Sequence, residues 1–179
     1  MKKIMKSLIA LILVLASLVL TACSDGEVVE ENGMKSYSIG GMSFKLPKEF
    51  KELSVNYASF SYHIDGVEFF ANIFDEQQME EDLGIDPDIS VYNYVYRFIY
   101  EWNDYNCDFD YDEKNDVATF GVFYPEDETD TSDDREFYYY YITRNDDLLY
   151  IVTMCCRDDL YDTYYPIFKE WESNITIAK

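Results

Sequence analysis

The sequence predicts an α+β fold: an antiparallel sheet of about six to eight strands built from hairpins and flanked by two main helices. Three observations carry this reading. Apolar residues alternate on either side of the turn signals Gly40-Gly41 and Asp65-Gly66, the period of strands with one buried face. From Val91 the spacing changes to that of a helix face, and the closing stretch 159–172 repeats it with large aromatic residues. With 48% hydrophobic and 18% aromatic residues in 179, there is enough bulk for one globular core.

Residues 1–22 read as a cleaved leader. Lys2, Lys3 and Lys6 precede the apolar run Leu8 to Leu20, whose 13 residues fall short of the roughly 20 that a helix needs to span a bilayer. Ordinary secretory cleavage after Ala22 calls for a small residue at the third position back, where bulky Leu20 stands. Leu20-Thr21-Ala22-Cys23 instead resembles the lipobox of bacterial lipoproteins. That resemblance implies a thioether from the Cys23 thiol to diacylglycerol, followed by cleavage of the peptide bond before it. Two acyl chains anchor stably where one binds marginally. The expected partner of Cys23 is therefore the membrane, and the expected location is the extracytoplasmic face of a Gram-positive cell membrane. Plain secretion is the alternative.

Residues 23–35 read as an acidic tether, because Ser24 to Ser36 offers little to bury; a coil of that length spans roughly 20 Å. Residues 36–179 then form a single domain. Tyr37-Ser-Ile39 and Met42-Ser-Phe44-Lys-Leu46 alternate around Gly40-Gly41 as a first hairpin, ended by Pro47. Phe60, Tyr62 and Ile64 alternate up to Asp65-Gly66, and Val67, Phe69, Ala71 and Ile73 after it, as a second. Residues 75–88 read as an acidic connection. Val91, Val95, Phe98 and Trp102 then mark one face of a helix that Asp88 or Ser90 could cap, with Tyr92, Tyr96 and Tyr100 as a flanking stripe that belongs to the packing face.

Val117 to Tyr124 is a further strand, and 126–134 an acidic loop. Phe137 to Thr143 pairs with Leu148 to Cys156 as a third hairpin. Its Tyr138-Tyr139-Tyr140-Tyr141 run suits a central strand covered by helix on one side and half-exposed on the other. In 159–172, Tyr161, Tyr164, Tyr165, Phe168 and Trp171 form a broad helical face, with Pro166 as a kink or the first turn of a second helix. Ile175-Thr-Ile177 adds an edge strand.

The strand Gly41-Met-Ser-Phe-Lys-Leu-Pro47, the central hairpins, and Tyr165-Pro-Ile-Phe168 running into Ser173-Asn-Ile-Thr-Ile177 resemble the Mog1/PsbP-like fold over residues 36–178. The resemblance implies a sheet flanked by helices and, for most members, binding, chaperone or assembly roles without catalysis.

Charge narrows the functional classes. With 36 acidic against 14 basic side chains the net charge is −22, and loss of residues 1–22 removes three lysines and no acid. Such a field repels nucleic acid and disfavours an electrostatic membrane-binding face, so nucleic acid is excluded as a partner and a basic protein or peptide is favoured. Solubility alone also explains acidic surfaces.

Candidate chemistry is sparse. His63 is the only histidine, which removes multi-histidine metal sites. Ser59, Ser61 and His63 share one strand face, so a hydrolase using His63 is the enzymatic alternative, although neither a nucleophile turn nor an orienting acid is identifiable. With Cys23 lipidated, Cys107, Cys155 and Cys156 remain; a bridge from Cys107 to one of the adjacent pair would add roughly 4 kcal/mol in the chain-entropy account, and three reduced thiols are the alternative. Asp108, Asp110 and Asp112 have the alternating carboxylates of a calcium loop. Glu113 stands where such a loop needs Gly, however, and Thr119 where it needs Glu. A calcium-stabilised surface protein is thus the second binding alternative, through these residues or 126–134. No cofactor is implied, and the reading favoured is a non-enzymatic binding or accessory lipoprotein.

Overall fold

The computed structural model describes residues 29–31, 33–81, 84–103, 105, 107–124, 135–145 and 148–178. Its first strand, β1 (Val29–Glu31), pairs antiparallel with β2 (Met34–Ile39), Val29 opposite Ser36. This corrects the tether reading, since ordered pairing begins inside 23–35. A polar segment cannot fill a core, but an edge strand needs only backbone partners on one side. β2 turns into β3 (Met42–Pro47) at Gly40 and Gly41, whose φ values of 55° and 82° are those a primed two-residue turn demands.

β4 (Lys51–Glu52) and β5 (Phe60–Ile64) follow, and β5 turns at Asp65-Gly66 into β6 (Val67–Asp75) with Ile64 opposite Val67. The stretch expected to be a plain connection then forms a short helix, α1 (Glu76–Glu81). Asp75 caps it reciprocally: its Oδ1 accepts from Gln78 N at 2.8 Å, and Asp75 N donates to Gln78 Oε1 at 3.1 Å. Met79 is its single buried residue.

α2 (Val91–Tyr96) starts at Ser90, whose hydroxyl accepts from Asn93 N, and runs directly into a π-helical turn, Arg97–Trp102. After β7 (Asp110–Asp112) and β8 (Val117–Tyr124) come β9 (Glu136–Arg144) and β10 (Leu148–Arg157). A 3₁₀ turn at Asp158–Leu160 leads into α3 (Tyr161–Glu172), a single helix with Pro166 inside it, and β11 (Thr176–Ile177) closes the chain.

Among the described residues the strands form two antiparallel sheets, β1-β2-β3-β11 and β4-β5-β6-β10-β9-β8-β7. The first hairpin therefore lies outside the main sheet and packs across it, with Phe44 stacked on Phe69 at 4.8 Å and on Phe60 at 5.3 Å. Met42, Leu46, Phe168 and Trp171 join that core from β3 and α3. On the opposite face, Met79, Val91, Val95 and Ile99 bury Ala118, Ile142, Leu149 and Ile151. With cores on both faces, β10 is buried continuously from Leu149 to Cys156. The tyrosine run has one buried face, Tyr139 and Tyr141, and one half-buried face, Tyr138 and Tyr140, where Tyr140 stacks on Phe120 at 4.7 Å and meets Phe98 at 5.5 Å.

Candidate functional site

The π turn sets the character of the second helical element. Val91 and Val95 are buried as the spacing predicts, but the wider i→i+5 turn carries burial on to Ile99 and rotates Trp102 outward. Tyr92, Tyr96, Tyr100 and Trp102 are consequently 45%, 46%, 40% and 42% exposed, so the tyrosine stripe is an outer surface and not a flank of the packing face. It extends about 12 Å along the helix.

The rings are held, not loose. Tyr92 packs on Phe109 at 5.3 Å and Tyr111 at 5.4 Å, and Tyr96 lies 4.9 Å from Tyr100. The Tyr100 hydroxyl donates to the Cys107 carbonyl at 3.0 Å, which ties the helix to the segment leading into β7. Arg97 lies over the Trp102 ring at 5.0 Å and pairs with Glu101 at 3.0 Å. Desolvation and then the Asp108 charge hold the Tyr100 phenol above its ordinary pKa; burial and then the hydrogen bond to Asp116 push Tyr111 up to about 12. These phenols stay protonated across physiological pH. Aromatic faces bordered by Glu101 and Asp108 are suited to cations and to the aliphatic stems that carry them.

Around His63 the hairpin supplies an acid that sequence reasoning did not identify. Glu68 is its cross-strand partner, and the row continues through Cys155 and Tyr138 on the same face. The nucleophile is what is missing. Ser61 is fully buried opposite Phe70, with no hydrogen-bond partner for its hydroxyl, and Ser59 Oγ accepts from Ile73 N at 3.1 Å. Neither serine is presented to a substrate beside the imidazole.

Cys155 and Cys156 are buried free thiols, and neither bridges to Cys107. The topology explains it. Cys107 leads into β7 at the sheet edge, separated from β10 by β8 and β9, or roughly 14 Å of strand spacing against a Cα reach of about 7 Å for a disulfide. Asp110 and Asp112 lie on an extended strand, where alternate residues stand about 7 Å apart instead of wrapping an ion. Asp112 caps its own turn, accepting from Lys114 N at 3.0 Å and from the Asn115 amide side chain at 2.6 Å. Among the described residues no group of three or more His, Cys, Asp or Glu is placed to hold a metal. Cys23 and the acidic run 126–134 lie outside the described residues.

No known family profile matches the sequence, and no curated protein is similar to it in sequence. Solved structures do resemble it. PsbP of the cyanobacterium Synechocystis matches with a TM-score of 0.53 at 13% identity, over 87% of this chain and 99% of that one. The Saccharomyces cerevisiae Ran-binding protein Mog1p matches with a TM-score of 0.50 at 10% identity, over 87% and 96%. A protein of Bacteroides thetaiotaomicron matches with a TM-score of 0.50 at 12% identity, over 78% of this chain and 46% of its own length. The chain has the Mog1/PsbP-like fold. At these identities the likeness speaks for the fold alone.

Proposed function

We propose that the protein is a non-enzymatic lipoprotein, held on the extracytoplasmic face of a Gram-positive cell membrane by a diacylglyceryl group on Cys23, and that it binds a basic partner protein through the aromatic face of α2 and its π turn. One observation carries the binding role: Tyr92, Tyr96, Tyr100 and Trp102 stand exposed on one helical element of a chain with net charge −22. Tyrosine and tryptophan are residues on which interfaces depend most, and their faces attract lysine and arginine. The acidic field accelerates the approach of a cationic partner. A fold neighbour that is a Ran-binding protein fits a binding role without identifying this partner.

The test is capture by cross-linking from intact membranes with the lipidated protein, beside its Tyr96→Ala/Trp102→Ala variant. The expected result is a partner of net positive charge, held by the natural protein, lost by the variant, and weakened as salt rises through the range where the Debye length falls from about 10 Å to about 3 Å. Capture that is indifferent to salt, or equal with the variant, would overturn the proposal. Mass spectrometry is expected to find diacylated Cys23 at the new N-terminus; an intact Met1 would remove the anchor.

A further inference from the structure

Most of the surface charge is negative, yet residues 35–51 hold Lys35, Lys45, Lys48 and Lys51 against the single acid Glu49. Three of these lysines, Lys35, Lys48 and Lys51, line one open cleft of about 670 Å³ together with Tyr37 and Tyr62. The two sheets make the cleft: Lys35 and Tyr37 come from β2, Lys51 and Tyr62 from β4 and β5, and Lys48 from the turn after β3. Glu49 and Glu52 also reach it. None of the three lysines has an ion-pair partner among the described residues.

The path of the chain says what meets this cleft. Val29 pairs with Ser36, between Lys35 and Tyr37, so the segment leading back to Cys23 leaves the fold beside the lysines. Five residues lie between Cys23 and Val29, and the six steps of chain reach at most about 20 Å. If Cys23 is lipidated, the cleft is held within about 20 Å of the membrane surface, close enough to meet the phospholipid headgroups.

We infer that the cleft formed by Lys35, Lys48 and Lys51 takes the phosphate of an anionic phospholipid headgroup, orienting the domain on the membrane that anchors it. The inference rests on the lipoprotein reading of Cys23. Lysine ammonium groups bind phosphate as point charges, and each one near an anionic surface adds on the order of fivefold to its hold. Glu49 and Glu52 oppose this at close range and leave the cleft a formal charge of +1, while acidic residues more than about 8 Å away are screened at physiological salt.

The experiment is limited acetylation of the lipidated protein in phosphatidylglycerol and in phosphatidylcholine vesicles, read lysine by lysine with Lys114 as reference. Phosphatidylglycerol is expected to slow Lys35, Lys48 and Lys51 by at least about threefold, an effect removed by high salt, with Lys114 unchanged. In Lys48→Gln/Lys51→Gln, protection of Lys35 is expected to disappear. Equal rates in the two vesicles would overturn the inference. So would slow rates already in phosphatidylcholine, which would mean that the chain's own acidic residues fill the cleft. Protection by millimolar inorganic phosphate in phosphatidylcholine would assign the cleft to a soluble phosphate instead. Flotation with phosphatidylcholine vesicles reads the anchor separately, so its failure is distinguishable from that of the headgroup site.

Discussion

Lys169 Nζ donates to the Tyr139 phenol oxygen at 2.6 Å, and the same phenol donates to Glu172 Oε2 at 2.6 Å. A nearly buried tyrosine of the central sheet is thereby wired to an ion pair on α3 that closes on itself at 3.1 Å. Tyr139→Phe keeps the ring and its packing, while Lys169 and Glu172 keep each other and enough exposure to rehydrate. The expected cost is about 1 kcal/mol, the net worth of an ordinary hydrogen bond, read as a lower urea midpoint with an unchanged slope. An unchanged midpoint would show the phenol contributing nothing beyond its ring.

Gly121 is absent from the turns and sits in the middle of β8, opposite Tyr139, where a Cβ would come within 2.5 Å of the Phe137 ring. Phe137 has little room to retreat, being packed edge-on by Tyr161 at 4.7 Å and Tyr165 at 5.6 Å. Gly121→Ala is therefore expected to lose about 1–3 kcal/mol by overpacking. In a Phe137→Leu background the same change should cost less, so a double-mutant cycle in urea checks it; additive costs would place the strain elsewhere.

The hairpins were legible because their turns are chemically compelled. Gly40, Gly41 and Gly66 accept φ > 0, and alternation on each side of the two turns then fixes the register. The juxtaposition of His63 and Glu68 was readable from the same signal, since a two-residue turn that pairs Ile64 with Val67 pairs the next residues out. α1 was hidden because six residues with a single buried side chain show no period, although Asp75 and Gln78 carried the capping pattern. The outward face of the tyrosine stripe was not readable: four-residue spacing fixes that three rings share a side, not which side. A π turn that shifts the buried phase leaves no mark in a 3.6-residue period. The lysine cleft depends on two sheets meeting, which no local pattern encodes.

The buried thiols should be silent. Desolvation, with Asp158 and Asp159 nearby, pushes Cys156 up to about 11, and desolvation with Glu68 and Glu136 raises Cys155 further. Thiolate is the reacting form, so neither residue is expected to be alkylated by iodoacetamide at about pH 8 in the native protein, and both should be alkylated once urea unfolds it. Native labelling of either would mean that β10 opens locally or that its burial is incomplete.

Alkaline pH should unfold the protein more sharply than its composition alone implies. Burial first, and the Glu172 hydrogen bond second, push Tyr139 up to about 12, while burial is also the leading cause that carries Tyr94, Tyr138 and Tyr140 higher still. In the unfolded chain these phenols titrate near pH 10. A pKa raised by folding means that the native state holds its proton longer, so the contribution is complete below about pH 10 and is lost as pH climbs toward the native value. Each such phenol can remove up to about 1.4 kcal/mol per pH unit in that window. Urea midpoints are expected to be level from about pH 7 to 9 and to fall steeply above about 10, with phenolate absorbance from these buried rings appearing together with loss of the fold. If the absorbance instead rose fully near pH 10 while the native signal persisted, the rings would be ionising in place, and the two cores that enclose them would have to be open to water.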